Sequence, residues 1–298
     1  MNAIHHLTLA DRGLITIGGP DRKTYLQGLI SNDIEKVGPE RAIWAALLTS
    51  QGKFLHDFFI IEIGEVFYLD CEAARLMDLG RRLSRFKLRA AVDLGIDEDF
   101  SVSVAFGRGV FTRLGVPHAP GAAVRLGGGV VYCEPRLSDI GVRAVLPATS
   151  TEAFWTKANF EPGSPEEYDR LRISLGLPDG SRDMVVEKAI LLENNFDQLH
   201  GVDWDKGCYV GQELTARTKY RGLIKKRLMP VQISGKTPAI GASITAAGRD
   251  VGEIRSVVGD MALALLRMEL IKKAKEDGIP LISGDAVLAL RPPEWLSN

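Results

Sequence analysis

The feature that most constrains the fold is the sequence pattern of residues 227–298, where short apolar segments alternate with glycines. Such a pattern is typical of brief strands joined by tight turns. The predicted strands are residues 228–233, 243–245, 251–258, 261–267 and 286–290. A set of short antiparallel strands can close into a small barrel, and closure leaves no unpaired strand edge. We therefore predict a C-terminal antiparallel β-barrel that begins near residue 227.

The residues before the barrel mix strands and helices without the regular β-α alternation of a doubly wound sheet. Strands are predicted at residues 43–49 and 54–62, on either side of a turn at 50–53. An amphipathic helix with a basic face is predicted at residues 73–88. Proline followed by acids predicts another helix start at residues 165–167. This order of elements favours the α+β class.

Length and composition limit the classes of function. A chain of 298 residues is too long for one ordinary core, so we expect two or three domains. With 37 basic and 38 acidic residues, the protein has no overall field that would attract nucleic acid or an anionic membrane. Aromatic residues are also too sparsely interleaved with the basic ones for nucleic acid to be the expected partner.

The cysteines and the N-terminal residues bear on the compartment. Three cysteines, Cys71, Cys133 and Cys208, lie far apart in sequence, which suits a reducing compartment better than a disulfide framework. Residues 1–6 do not start a secretory signal, and no apolar run approaches the roughly 20 residues of a membrane-spanning helix. We therefore expect a soluble cytoplasmic protein.

Cys208 is the residue whose surroundings most suggest chemistry. It stands between Gly207 and Gly211, and residues 212–219 follow as a predicted helix that ends at Gly222. A thiol near a helix N-terminus meets free N–H groups and the positive end of the helix dipole, so its pKa is expected to fall. Seven cations against the single acid Glu213 act in the same direction: Lys206, Arg217, Lys219, Arg221, Lys225, Lys226 and Arg227.

Several roles for this thiol remain open on the residues alone. It could be a nucleophile, one ligand of a metal or cluster completed by a partner, a redox-sensitive thiol, or a small buried apolar residue. A nucleophile needs a base, and His200 is the nearby candidate, unless it is a solvated loop residue. No second cysteine or histidine stands at ligand spacing, which disfavours a complete zinc or iron–sulfur site within this chain.

Two other groups of polar residues allow a functional and a structural interpretation. The cations after Cys208 and those of the helix at 73–88 could together hold a phosphate or a polycarboxylate tail, or they could form solvated faces. His56 and Asp57 follow the turn at residues 50–53. They could serve a site, or Asp57 could simply be satisfied by backbone N–H groups.

At this point a family resemblance can be stated. Residues 206–213 resemble the signature of the YgfZ-type folate-binding proteins, relatives of the aminomethyltransferase (T-protein) of the glycine cleavage system. Residues 208–218, continued by 225–228, are especially similar to the mitochondrial member that assists late iron–sulfur cluster assembly. Further similarity lies in residues 25–33, 51–57, 88–92 and 252–256.

The resemblance implies a T-protein-like α+β fold of three domains in a ring around a folate-binding channel. Domain one would comprise residues 1–44 and 99–182, domain two residues 45–98 and 183–227, and the barrel residues 228–298. The family supports the maturation of [4Fe-4S] enzymes in a tetrahydrofolate-linked way. The resemblance therefore implies a folate-binding assembly factor rather than a classical enzyme, with neither nucleic acid nor membrane as a partner.

The resemblance also implies roles for single residues. Cys208 matches the family's functional cysteine and would act as a thiolate, or as one ligand of a cluster shared with an A-type iron–sulfur carrier or a client [4Fe-4S] enzyme. Tetrahydrofolate or a derivative would be bound by residues of the motif and of the hairpin: Lys206, Tyr209, Gln212, Glu213, Arg217, Arg221, His56 and Asp57.

The alternative is a tetrahydrofolate-dependent aminomethyltransferase or methyltransferase. The aminomethyltransferases carry two adjacent acids where this chain has His56 and Asp57, and they tend to have aspartate where Cys208 stands. A carboxylate stabilises the cationic centre that forms during aminomethyl transfer, so its loss speaks against transferase chemistry.

Overall fold

The computed structural model describes residues 4–222 and 224–296. Unit 1 comprises Met1–Leu48, Leu55–Pro165 and Leu199–Val210, and unit 2 comprises Thr49–Phe54, Glu166–Gln198 and Gly211–Asn298. Residues 1–3 begin the segment in which we expected no secretory signal, and residues 297–298 end the predicted barrel domain. Both lie outside the described residues.

Unit 1 contains two sheets and four helices among the described residues. In chain order these are β1 (His5–Thr8), β2 (Arg12–Gly18), α1 (Arg22–Gln27), β3 (Ile43–Leu48), β4 (Phe54–Ile63), β5 (Val66–Glu72), α2 (Leu76–Lys87), β6 (Asp93–Asp97), β7 (Phe100–Phe106), α3 (Val110–Leu114), β8 (Ala123–Leu126), β9 (Gly129–Cys133), β10 (Val142–Pro147), α4 (Thr151–Lys157) and β11 (Glu161–Pro162). Single 3₁₀ turns lie at Ile34–Lys36, Ala73–Arg75 and Ser138–Ile140.

The five-stranded sheet has the order β3-β4-β5-β2-β6. Strands β3 and β4 are the predicted hairpin strands, and their apolar side chains are buried on both faces of the sheet. Helix α2 covers one face with Leu79 and Leu83, both fully buried. It corresponds to the helix predicted at 73–88, except that its first turn is the 3₁₀ turn.

The six-stranded sheet has the order β11-β1-β7-β10-β9-β8. Its core includes Val131, Ala144 and Trp155, all with no exposed surface. Trp155 lies on α4, and its indole N–H donates to Ser103 Oγ at 3.0 Å. That bond satisfies the polar atom of a large buried side chain, so α4 packs on the sheet without leaving a buried N–H unpaired.

A buried carboxylate joins the two sheets of unit 1. Asp70, on β5, accepts a hydrogen bond from Arg12 Nε at 2.6 Å and one from Arg143 Nε at 3.0 Å. Arg12 belongs to β2 of the same sheet, whereas Arg143 belongs to β10 of the six-stranded sheet. All three side chains are almost fully buried, so each charge depends on the others for compensation.

Unit 2 carries the barrel. Its elements are α5 (Pro165–Ser174), α6 (Gly180–Asp183), a 3₁₀ turn (Leu191–Asn194), α7 (Gln212–Tyr220), β12 (Lys226–Ser234), β13 (Ser243–Ala246), β14 (Arg249–Val258), β15 (Met261–Arg267), α8 (Met268–Glu276), β16 (Leu281–Ser283) and β17 (Ala286–Leu290). The six strands close in the order β12-β15-β14-β13-β16-β17, every pair antiparallel. The predicted C-terminal barrel is therefore confirmed.

Two barrel elements were not predicted. Strand β16 has only three residues, too few to show an alternating pattern. Helix α8 follows β15 without an intervening loop, and its buried Ile271 and Ala274 extend the barrel core.

Gly252 is required where β14 passes β15, because a Cβ there would lie 2.5 Å from the carbonyl oxygen of Leu265.

No helix among residues 4–222 and 224–296 combines the length and the apolar character needed to cross a bilayer.

Candidate functional site

The loop that carries Cys208 is fixed in unit 1 by the segment after α1. Ser31 Oγ donates to the carbonyl of Gly201 at 2.6 Å, and the N–H of Asp203 donates to the carbonyl of Ser31 at 3.0 Å. At the other end of the loop, the N–H of Val210 donates to the carbonyl of Gly28 at 3.1 Å. Two stretches that showed family resemblance, 25–33 and 206–213, are therefore neighbours in space.

Lys206 is the central anchor of this loop. Its side chain is buried, and Nζ donates to the carbonyls of Gln27, Ile30 and Asn32 at 2.8–2.9 Å. Burial lowers the pKa of Lys206 to about 8, although Asp33 and Asp203 act against this shift. The ammonium form still dominates at pH 7. Its three N–H groups all bind backbone carbonyls, which favours a structural role over a direct folate contact.

Asp203 organises the turn before Lys206. Its Oδ1 accepts the backbone N–H groups of Asp205 and Lys206 at 2.8 and 2.9 Å, and its Oδ2 accepts Lys36 Nζ. Burial raises the pKa of Asp203, but the hydrogen bonds from Lys36 and the two N–H groups outweigh it and hold the pKa below its usual value. The turn therefore presents residues 207–208 in one fixed backbone arrangement.

Cys208 is exposed, whereas Cys71 and Cys133 are buried. Burial raises the pKa of both buried thiols to about 12, so neither forms a thiolate at neutral pH. Gly207 next to Cys208 is exposed too, and a Cβ at that position would meet nothing within 4 Å. The surroundings of Cys208 thus leave room for a large group to approach its sulfur.

Helix α7 begins at Gln212, as predicted, four residues after Cys208, and Gly211 is its N-cap with φ of 83°. Glu213 and Arg217 are exposed and form an ion pair one turn apart, and Arg221 is exposed just after the helix. The pairing with Glu213 lowers the charge that Arg217 offers to a ligand.

Two motif stretches also meet within unit 2. Gly52 lies in the turn before β4 with φ of 71°, and a Cβ there would be 2.8 Å from both the carbonyl oxygen of Gly211 and Cβ of Leu214. Residues 51–54 of the hairpin therefore pack directly against the start of α7. A side chain larger than hydrogen does not fit at position 52.

Asp57 is the most unusual carboxylate of unit 1. It is buried on β4, and its Oδ2 accepts the indole N–H of Trp44 at 3.0 Å. Its Oδ1, also buried, has no hydrogen-bond partner among the described residues. Burial raises the pKa of Asp57 to about 6, although Arg12, the Trp44 hydrogen bond and Arg136 lower it. An unpaired buried acceptor of this kind suits a ligand N–H group.

The neighbouring His56 faces a different environment. Its Nε2 lies 3.0 Å from Asp78 Oδ2 and 3.4 Å from an outer guanidinium nitrogen of Arg75. Burial, followed by the charge of Arg75, lowers the pKa of His56 to about 4, so the ring is neutral at pH 7. His56 therefore ties β4 to α2.

A chain of contacts connects the loop of Cys208 to Asp57 within unit 1. The backbone carbonyl of Asn32 accepts a hydrogen bond from Lys206 Nζ, and the side-chain N–H group of Asn32 donates to the carbonyl of Trp44 at 2.8 Å. Trp44 in turn donates to Asp57. Tyr209 is buried as well, with the ring centroid 5.1 Å from Lys206 Nζ. The structure thus links Lys206 to Asp57 through Asn32 and Trp44, and places Tyr209 beside Lys206.

A cleft of about 390 Å³ opens beside Trp44 in the same unit. Its walls include Lys36, Arg41 and His200. His200 is exposed as a whole residue, but its ring is partly enclosed, and this desolvation, followed by the charges of Arg41 and Lys36, lowers its pKa. Because Lys36 is paired with Asp203, Arg41 is the cation through which this wall suits an anionic group.

Some candidate residues were missed from the sequence. Glu134 accepts both Nε and an outer nitrogen of Arg136 at 2.9 and 2.8 Å, and Arg136 stacks over the Trp44 ring with its central carbon 5.2 Å from the centroid. In unit 2, burial raises the pKa of Glu193, although Lys226 and Lys53 lower it. The only sign of these residues in the sequence is that charged residues stand within or next to apolar segments. That their side chains are buried is visible only in the folded structure.

Within residues 4–222 and 224–296, no group of three or more histidines, cysteines or acids is arranged to hold a metal ion. A metal or cluster at Cys208 would therefore draw its other ligands from outside the described part of the chain.

Comparisons with known proteins identify the family. The iron-sulfur cluster assembly factor IBA57, mitochondrial, of Mus musculus is 32% identical over 310 residues, which cover 96% of this chain and 84% of the relative. The Homo sapiens protein of the same description is 31% identical over 96% of this chain and 84% of its own length. The chain belongs to the IBA57 family. The resemblance found in the sequence is therefore confirmed.

Two further comparisons concern the fold of this IBA57-family chain. Residues 225–298 match the family model described as the CAF17 C-terminal beta-barrel domain. The crystal structure of glycine cleavage system aminomethyltransferase T from Bartonella henselae superposes with a TM-score of 0.79 and 15% identity, over 99% of this chain and 86% of that one. The predicted T-protein-like α+β fold is confirmed.

The expectation of a cytoplasmic protein is wrong. The IBA57 relatives from mouse, human and Neurospora crassa are all named as mitochondrial, which points to the mitochondrion. The error has a physical origin. An apolar h-region marks the secretory route, whereas mitochondrial targeting segments are amphipathic and rich in arginine, so the absence of the first says nothing about the second.

Proposed function

We propose that this chain is an iron–sulfur cluster assembly factor that binds a reduced folate and acts through the Cys208 thiolate. Its relationship to the IBA57 assembly factors over almost its whole length supports the role in cluster assembly. The observation that carries the residue assignment is that Cys208 is exposed, whereas the other two cysteines, Cys71 and Cys133, are buried and protonated at neutral pH.

The cluster would be shared with a partner. A [4Fe-4S] or [2Fe-2S] cluster takes four protein ligands as a rule, and Cys208 supplies one. Its sulfur, once deprotonated, donates an electron pair to an iron atom, and the partner supplies the remaining thiolates. An A-type iron–sulfur carrier or a client [4Fe-4S] enzyme is the proposed partner. The hydrogen bonds that Asp203 accepts from the N–H groups of Asp205 and Lys206 would position the backbone before Cys208 for this contact.

The residues near Asp57 fit a reduced folate. A pterin ring carries N–H donors, and the buried Oδ1 of Asp57 is an acceptor without a partner among the described residues. Arg41 at the neighbouring cleft would attract a carboxylate of a folate tail. Bound folate would supply a one-carbon carrier or a stabilising ligand, while Asp57 orients its ring. Tyr209, Gln212, Glu213, Arg217 and Arg221 stay predicted contacts.

The role of Cys208 is tested by complementation. In cells that lack the endogenous assembly factor, Cys208→Ser should reduce the activity of [4Fe-4S] enzymes to the level of the empty vector. The matched control is Asp205→Asn, an exposed change on the same loop. Both variants should keep the melting temperature of the parent. Full enzyme activity with Cys208→Ser would refute the proposal.

Folate binding is tested by calorimetric titration with tetrahydrofolate under anaerobic conditions. Asp57→Asn keeps the side-chain shape and an oxygen for Trp44 but loses the charge. A lost hydrogen bond to a charged group costs about 1.5–3 kcal/mol, so Kd should rise roughly tenfold or more. Asp205→Asn should leave Kd unchanged. Absence of saturable binding by the parent protein would remove folate from the proposal.

A tetrahydrofolate-dependent aminomethyltransferase or methyltransferase is the second candidate, favoured by the likeness of the fold to aminomethyltransferase T. It predicts turnover of a one-carbon donor that survives Cys208→Ser and is lost in Asp57→Asn. Assembly activity alone, without such turnover, would exclude it.

A further inference from the structure

A groove on the outer side of the five-stranded sheet of unit 1 has no role in the proposed function. It lies between α2 and the edge strand β6 and has a volume of about 470 Å³. Ile15, Leu76 and Leu83 form its floor, and Leu94 and Ile96 form the strand side. Met77 and Ile96 along its rim are 63% and 48% exposed. This is a continuous apolar surface open to solvent.

The strand side of the groove ends in an unpaired edge. Strand β6 is the last strand of its sheet, and among the described residues it pairs with β2 alone. Alternate N–H and C=O groups of an edge strand point away from its neighbour and can pair with another extended chain. Gly95, in the middle of β6, is exposed and has no side chain to block such an approach.

The helix side of the groove is basic. Arg81 and Arg85 line it, both exposed, and neither forms an ion pair with a carboxylate of the described residues. The neighbouring Arg82, by contrast, is paired with Asp78 at 2.9 Å. Two guanidinium groups one helical turn apart therefore stand over an apolar floor.

The acids of β6 do not neutralise these arginines, because they lie on the other face of the sheet. Ile96 pairs with Ile15, which contacts α2, so the side chain of Ile96 shares the face of the groove. Asp93 and Asp97 alternate with that face, and Asp97 accepts the Tyr68 hydroxyl on the opposite side. The groove therefore offers only positive charge.

We propose that this groove docks an extended acidic segment of a partner protein, which adds to the sheet as a strand beside β6. The partner's side chains on the α2 face of the added strand would be apolar above the groove floor and acidic beside Arg81 and Arg85. A second copy of this chain is a poorer occupant, because pairing β6 with β6 brings like charges of two α2 helices together. This inference goes beyond the proposed function and does not depend on it.

The test uses the full chain and a fluorescein-labelled nine-residue peptide with glutamate and valine in turn at its odd positions and threonine at its even positions, so that valine and glutamate share one face of the strand. Its comparison peptide has lysine at every glutamate position. Fluorescence anisotropy should show saturable binding of the acidic peptide at least tenfold tighter than that of the basic peptide, and added salt should weaken it. Hydrogen exchange should slow at residues 93–97 when the acidic peptide binds, and should not change at β8, the edge strand of the other sheet.

The double variant Arg81→Glu and Arg85→Glu should weaken binding at least tenfold. A matched double variant, Arg108→Glu and Lys157→Glu, makes the same change in net charge at exposed positions of the same unit and should bind within twofold of the parent. Equal binding of both peptides, equal effects of the two double variants, or protection outside residues 93–97 would each overturn the proposal. So would self-association that Arg81→Glu and Arg85→Glu abolish, or tighter binding of an oligothymidylate than of the acidic peptide.

Discussion

At the scale of single residues, the two polar side chains that follow the hairpin turn, His56 and Asp57, have pKa values that folding shifts in opposite directions. Burial lowers the pKa of His56 to about 4 and raises that of Asp57 to about 6. Both shifts disfavour the charged form, as burial does for any ionisable group. His56 has a partner in Asp78, whereas one oxygen of Asp57 has none among the described residues. The difference makes Asp57 the ligand candidate and His56 a structural residue.

The raised pKa of Asp57 predicts a specific pH dependence of stability. Between the ordinary value of 3.8 and about 6, the folded protein binds more protons at this site than the unfolded chain. The free energy of unfolding therefore falls as pH rises through this window. Asp57→Asn lacks this titration, so its stability relative to the parent should improve by about 2 kcal/mol between pH 4 and pH 7.

Urea unfolding of the parent and Asp57→Asn at several pH values measures this difference directly. The exposed variant Asp205→Asn serves as a control and should show no such trend. A difference between Asp57→Asn and the parent that stays constant with pH would show that Asp57 is ionised in the fold.

At the scale of elements, the turn before β4 and the start of α7 depend on each other in unit 2. Gly52 has a positive φ and lies against the Gly211 carbonyl and Leu214. Position 52 therefore needs glycine for two reasons. Its positive φ is a backbone conformation that favours glycine, and its contact with the start of α7 leaves no room for a Cβ. Contact between these two motif stretches explains why residues so distant in sequence belong to one resemblance.

Gly52→Ala should destabilise the protein by about 2 kcal/mol or more, because backbone strain and a clash add together. Gly64→Ala is the matched control. Gly64 also has a positive φ, of 64°, but a Cβ there meets nothing within 4 Å. The loss of unfolding free energy in Gly64→Ala should reflect backbone strain alone and be smaller than that in Gly52→Ala. Thermal and urea unfolding of both variants measure the comparison. Equal costs would mean that the contact with Gly211 and Leu214 relaxes freely.

At the scale of the whole molecule, the two sheets of unit 1 are joined through buried charge. Asp70 binds Arg12 from its own sheet and Arg143 from the other, and Arg143 also approaches Glu134 at 3.9 Å. The Phe59 ring lies among the same guanidinium groups, 4.1 Å from Arg143. A buried ion cluster contributes little net stability when complete, but the loss of one member leaves uncompensated charge.

Asp70→Asn should therefore lower the free energy of unfolding by about 3–5 kcal/mol. Amide hydrogen exchange should become faster in both sheets of unit 1, since each loses a contact to the other. Glu62→Gln, which breaks the less buried pair with Arg22, is the control and should cost about 1 kcal/mol or less. Faster exchange confined to the five-stranded sheet would contradict a role for Asp70 in joining the two.

The sequence by itself determined the class of the fold, the barrel and the motif around Cys208. These depend on local signals: strand periodicity, turn glycines and an unusual octapeptide. The family followed from the same residues. The division into three domains remains a prediction. The compartment was misjudged, because the sequence signals used exclude a secretory route without distinguishing the remaining compartments.

Only the tertiary structure showed which polar residues are buried anchors and which keep an exposed or unpartnered polar group among the described residues. Lys206 looked like a ligand cation, yet folding places three carbonyls of one segment around its ammonium group. From the sequence, Asp57 could be a strand residue satisfied by backbone N–H groups or a site residue, and folding leaves one of its buried oxygens without a partner among the described residues. Such facts depend on contacts between residues far apart in the chain, and those contacts leave no periodic trace in the sequence.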